Sequence, residues 1–129
     1  MASNELTRNQ SLVMNTLTAA KAPMSAYTIL DSLRDSGFRA PLQVYRAVEK
    51  LQEMGLVHRL ESLNAFVACR HPSCKGHETI VFMICNVCGI ATEVTDTALA
   101  KQLETISKAS NFVPASSTVE LLGTCEACQ

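Results

Sequence analysis

At 129 residues, 47% of them hydrophobic and none of them Trp, the chain suits one ordinary domain or two small ones built around an aliphatic core. Its 11 Lys/Arg and 12 Asp/Glu leave a net charge of −1, so overall charge gives no argument for a nucleic-acid partner and excludes a strongly basic chain. Met1–Gln10 is mostly polar and no apolar run approaches a membrane span, so neither a signal peptide nor a membrane partner is expected, and the location expected is cytoplasmic.

In chain order, Thr7 and Gln10 form a capping-box pattern ahead of Val13, Met14, Leu17 and Ala20 at helical spacing. Pro23 interrupts that first helix. Ser25 is a good N-cap for a second helix with the stripe Ala26, Ile29, Leu30 and Leu33, and Gly37 ends it. A third helix opens at Pro41, buries Val44, Ala47, Val48 and Leu51, and stops at Gly55. The period then changes: Leu56–Ser62 and Ala65–Cys69 are strand-like runs separated by the turn Leu63-Asn64. Three helices followed by a hairpin predict a winged helix-turn-helix over residues 1–69. A turn-rich linker over 70–78 follows. Thr79–Ile84 and Ile90–Val94 read as strands, Asp96 caps a helix with Leu99, Leu103 and Ile106 on one face, and Val119–Leu122 is a last strand. The expected fold class is α+β, a winged helix followed by a small C-terminal α/β domain over residues 79–129.

Two Cys-x-x-Cys pairs, Cys85/Cys88 and Cys125/Cys128, bracket that C-terminal domain. Each short loop lets two sulfurs face one point, and four thiolates make a favourable tetrahedral shell for zinc. Gly89 directly follows the first pair, where a tight knuckle needs a permissive backbone. The second pair lies next to Gln129, in a stretch that frays unless something holds it. A closed structural zinc is the expected occupant. Two disulfides or a redox thiol pair are the alternatives, and a reducing compartment disfavours the first.

On the third helix, angular spacing groups Gln43, Arg46 and Lys50 away from the buried stripe. Arg can reach guanine bidentately and Gln can pair with adenine, so this face can read a major groove. Glu49 and Glu53 share the outer surface, and a plain solvated face with Arg46–Glu49 and Lys50–Glu53 pairs is the alternative. A second possible metal set is His58, Cys69, His77 and Glu93, whose two imidazoles, thiolate and carboxylate suit zinc and not magnesium or calcium. Each of these also has an ordinary explanation as a strand residue or a small apolar filler.

The run from Val44-Tyr45-Arg46 to Gly55-Leu56-Val57-His58, with Cys85-Asn86-Val87-Cys88-Gly89 after Phe82-Met83-Ile84, resembles the ferric uptake regulator family, most closely its zinc uptake regulator branch. The resemblance implies a homodimeric, metal-dependent repressor of operator DNA. It further implies that residues 79–129 form the dimerisation domain and that each protomer holds two Zn2+. The structural ion falls on Cys85, Cys88, Cys125 and Cys128. The regulatory ion falls on His58, Cys69, His77 and Glu93. Operator contacts fall on Tyr27 and Arg46, with Tyr45 as a further candidate. The segment His71-Pro72-Ser73-Cys74-Lys75-Gly76-His77 lacks the His-rich linker typical of iron- and peroxide-sensing branches, which favours zinc. Cys74 and His71 remain spare donors. Rival expectations are an iron- or peroxide-responsive regulator and, more remotely, a zinc hydrolase or deaminase using His58, Cys69 and His77. For the enzyme, Glu93 closes the shell and no nucleophile–base pair is evident, so no catalytic residue and no small-molecule substrate are expected.

Overall fold

Helix α1 (Arg8–Ala19) begins where Thr7 Oγ1 accepts from the Gln10 amide at 3.2 Å and the Gln10 side chain accepts from the Thr7 amide at 3.1 Å. The computed structural model describes residues 6–70, 79–115 and 117–129. It comprises two units, Met1–Cys69 and Arg70–Gln129.

In the first unit, Ser25 Oγ caps α2 (Ala26–Ser32) by accepting from the Thr28 amide. A 3-10 turn, Arg34–Ser36, follows, and Gly37 leaves it with φ 104, a left-handed conformation that favours glycine. Helix α2 is therefore shorter than its apolar stripe suggested, yet Leu33 at the junction is still buried. Helix α3 (Pro41–Glu53) starts at Pro41 and gives way to Gly55. Val13, Leu17, Ile29, Leu30, Val44, Val48 and Leu51 come together in one core with Val57 and Phe66 of the hairpin. Each such side chain contributes about 1.5–3 kcal/mol by leaving water.

The hairpin strands β1 (Val57–Leu60) and β2 (Ala65–Ala68) are antiparallel, pairing Val57 with Ala68 and Leu60 with Ala65. That register makes the turn four residues long, Glu61 to Asn64, and not the two residues expected. Asn64 carries φ 50, which Asn tolerates better than most residues. Met24 pairs with Phe66 through two backbone bonds of 3.0 and 2.8 Å, so the segment before α2 is tied to the wing.

The second unit holds a three-stranded sheet of order β4-β3-β5. Strand β3 (Ile80–Cys85) is antiparallel to β4 (Ala91–Thr95) and parallel to β5 (Thr118–Gly123). A parallel neighbour needs a crossover, and α4 (Thr97–Ala109) lies in the connection from β4 to β5. Asp96 caps α4 by accepting from the Ala98 and Leu99 amides at 2.8 and 3.2 Å. None of α4's residues is buried.

Candidate metal centre and nucleic-acid interface

The parallel register sets Cys85 opposite Gly123, so the C-terminal ends of β3 and β5 lie side by side. The Asn86 amide donates to the Gly123 carbonyl at 2.7 Å and locks that corner. Each strand then delivers its own Cys-x-x-Cys turn. After Cys85 the chain doubles back through Gly89, whose φ of 81 and whose amide bond to the Cys85 carbonyl make the knuckle. After Cys125 a 3-10 turn, Glu126–Cys128, does the same. Cysteines far apart in sequence thus meet at one point.

The ligating atoms of Cys85, Cys88, Cys125 and Cys128 all lie within 4.8 Å of one another. Cys88 Sγ and Cys125 Sγ are 3.8 Å apart. A tetrahedron with arms of about 2.3 Å, the zinc–thiolate length, has edges of about 3.8 Å. A disulfide needs about 2.05 Å, and all four thiols are free. The donor set and the spacing fit a closed four-sulfur zinc shell.

The electrostatics agree. The amides of Val87, Cys88 and Cys125 donate to Cys85 Sγ at 3.3, 3.4 and 3.4 Å. Those bonds, the Cys88 and then the Cys125 amide foremost, lower the Cys85 thiol from 9.0 to about 5 against the effect of burial. Cys128 is pushed up to about 12, chiefly by its hydrogen bond with the Cys125 side chain and then by burial. Four sulfurs this close cannot all carry charge unless a cation compensates them.

The other metal-set residues sit as follows. His58 is half-buried on β1, opposite Val67. Cys69 directly follows β2; its amide donates to the Leu56 carbonyl at 2.8 Å, and its sulfur is disulfide-bonded. Glu93 is half-buried on β4, and its Oε1 accepts from the Arg70 amide at 3.1 Å. His77 lies outside the described residues, as do His71, Cys74 and nearly all of the expected linker 70–78.

On the recognition face, Arg46 is exposed on α3 and makes no ion pair among the described residues. Of the two pairs in the alternative, solvated-face reading, Arg46–Glu49 is therefore not formed among the described residues, whereas Lys50 and Glu53 do approach, at 3.5 Å. Gln43 acts locally, since its Oε1 accepts from the Arg39 and Ala40 amides at 2.6 and 3.0 Å and so completes the start of α3. Tyr27 is 64% exposed at the start of α2. Tyr45 meets Phe66 edge to face at 6.4 Å, which joins α3 to the wing. Arg59 and Asn64 of the hairpin share a groove with Arg46. Sequence reasoning passed over that pair, although an Arg on a wing strand next to an Asn-bearing turn was a usable signal.

The profile of the ferric uptake regulator family matches residues 3–122. The chain belongs to that family. The zinc uptake regulation protein of Escherichia coli (strain K12) is 32% identical over 124 residues, 95% of this chain and 72% of the relative. The crystal structure of holo XcZur is 41% identical with a TM-score of 0.86, over 96% of this chain and 86% of the other. A zinc uptake regulator complexed with zinc and DNA is 31% identical with a TM-score of 0.87, over 96% and 83%. Within the family, these relatives put the chain in the zinc uptake regulator branch.

Proposed function

We infer that the protein is a zinc-responsive transcriptional repressor that acts in the cytoplasm and binds operator DNA as a homodimer when a regulatory zinc site is filled. The observation that carries this reading is the likeness, at TM-score 0.87 over 96% of the chain, to a zinc uptake regulator complexed with zinc and DNA. Arg46 supports it: on an exposed helix face and without an ion pair among the described residues, its guanidinium is available to base edges.

In this reading Cys85, Cys88, Cys125 and Cys128 hold a structural zinc that staples the C-terminal sheet. His58, Cys69, His77 and Glu93 hold the sensed ion, giving two Zn2+ per protomer. Cys69 serves only as a thiolate, so its disulfide must first be reduced. Arg46, Tyr27 and Tyr45 touch the operator, and Gln43 and Lys50 flank them. The second unit supplies the dimer contact, since α4 buries none of its residues and Ile106 and Leu121 are about half exposed, at 54% each. An unburied apolar face of this kind suits a second copy.

Two recognition helices must meet half-sites about one DNA turn apart, so binding needs one defined arrangement of the dimer. If that arrangement is about 1% populated without the sensed ion, locking it raises apparent affinity by roughly two orders of magnitude. The genes controlled are those of zinc uptake. The test is operator binding with zinc, iron(II) and manganese(II) side by side. Zinc-specific enhancement is expected. A response to iron(II) alone reassigns the protein to an iron- or peroxide-sensing branch, and hydrolytic turnover without DNA binding replaces the reading with an enzyme.

A further inference from the structure

We propose that Arg59, on wing strand β1, is a DNA-backbone contact that fixes where the recognition helix sits in the major groove; this rests on the DNA-binding reading above. A groove of about 420 Å3 separates α3 from the hairpin, walled by Arg46 and Glu49 on the helix and by Arg59, Asn64 and Phe66 on the hairpin. Its two walls are braced. The Tyr45 and Phe66 rings pack edge to face, and Phe66 is 2% exposed, so the wing cannot part from the helix without opening the core.

Arg59 is tethered across the wing turn. Its Nη2 donates to Asn64 Oδ1 at 2.8 Å, and the left-handed backbone of Asn64, φ 50, is part of the turn that presents that oxygen. A guanidinium held this way loses less rotamer freedom on meeting an anion, and further N–H donors remain for a phosphate oxygen. Its other partner, Glu61, is 3.6 Å from Nη1 and 74% exposed. An exposed pair of that kind is worth little, so exchanging it for a phosphate costs little.

Charge around the groove directs the strand. Glu49 makes no ion pair among the described residues, so its carboxylate repels phosphate from the helix wall. The phosphate therefore settles on the wing wall at Arg59, which leaves Arg46 for base edges. In this arrangement Arg59 sets register and Arg46 reads sequence.

The experiment uses the full chain loaded with zinc. The probes are a duplex selected from a random-sequence pool by zinc-loaded wild-type protein and a scrambled duplex of equal length. Arg59→Gln, checked for wild-type folding by thermal melting, is expected to weaken binding to both duplexes about tenfold. One phosphate contact fewer also lowers the salt slope by about 0.9, so the wild-type advantage shrinks about 3.5-fold between about 50 and 200 mM salt. Asn64→Gly keeps the left-handed turn and removes the tether; a partial loss with the wild-type salt slope is expected, and no loss overturns the tether. Wild-type affinity and slope for Arg59→Gln, with the wild type still binding DNA on zinc addition, sinks the Arg59 assignment alone. Lost discrimination between the duplexes at an unchanged slope also overturns it, making Arg59 a base reader. If no duplex can be selected, the DNA-binding reading fails as well.

Discussion

At Cys85 three backbone amides converge on one sulfur, and the consequence is a division of protons within the cluster. With Cys85 lowered to about 5 and Cys128 raised to about 12, the metal-free corner at neutral pH pairs a thiolate with a thiol. Cys88 is raised as well: the Ile90 amide pulls it down, but Cys85, burial and Cys125 together outweigh that. The depressed Cys85 stabilises the metal-free fold fully only above pH 9.0, and that contribution fades as pH falls through about 5. The raised Cys128 has the opposite sign: its contribution is complete below pH 9.0, shrinks as pH rises above that value and is gone once pH has climbed through about 12. Zinc loading at neutral pH must therefore expel the Cys88 and Cys128 protons. Calorimetry in buffers of different ionisation enthalpy should report about two protons or more released per ion. Release of none contradicts a shell of four thiolates. Arg46 belongs to the same scale. Arg46→Ala should weaken binding to the selected duplex by about 1–3 kcal/mol and relax preference at one base position, as read by competition with single-position variants.

Among the elements, the wing hairpin has the most to explain, because it is short and exposed at its turn yet holds a fixed place against α3. Three features hold it: the Leu60–Ala65 closing pair, the Met24–Phe66 bridge and the Tyr45–Phe66 ring contact. Phe66 takes part in two of them and is 2% exposed. Phe66→Ala should cost about 3–5 kcal/mol of unfolding free energy in the first unit, followed by urea titration. A loss under about 1 kcal/mol means that the wing is held by its backbone ladder alone. Helix α4 is the converse case. Asp96 caps it firmly, but Leu99 and Leu103 on its apolar side are only half-buried and Ile106 is 54% exposed, so a second copy would add to its stability.

For the whole molecule, the decisive quantity is how many ions it holds and what each one does. Reduced protein should carry two zincs per protomer, one of which resists mild chelation. Cys69→Ser should keep the resistant ion and the dimer, measured by native mass spectrometry, and lose only the zinc-dependent gain in DNA affinity. Protein left without reductant should behave like that variant, since a disulfide at Cys69 withholds the thiolate. A full zinc response from oxidised protein removes Cys69 from the sensing set. Cys85→Ser should instead lose both folding of the second unit and dimerisation, because it deletes the sulfur on which three amides converge.

The local signals were sufficient for most of the secondary structure. Thr7, Ser25 and Asp96 are side-chain caps, Pro41 suits a helix start, and Gly37 and Gly55 supply left-handed stops, so each boundary rests on nearest neighbours and is legible in the chain. The Cys-x-x-Cys pairs were equally legible, because thiolate chemistry and two-residue spacing belong to the sequence itself. The structure alone showed that β5 runs parallel beside β3, which is what brings Cys125 to Cys85. Strand pairing depends on contacts between distant segments, and no local pattern encodes which neighbour a strand takes. The same holds for the groove at Arg59. Its walls come from a helix and a hairpin turn, and a bond between Arg59 and Asn64 forms only once the ladder has closed the turn to four residues.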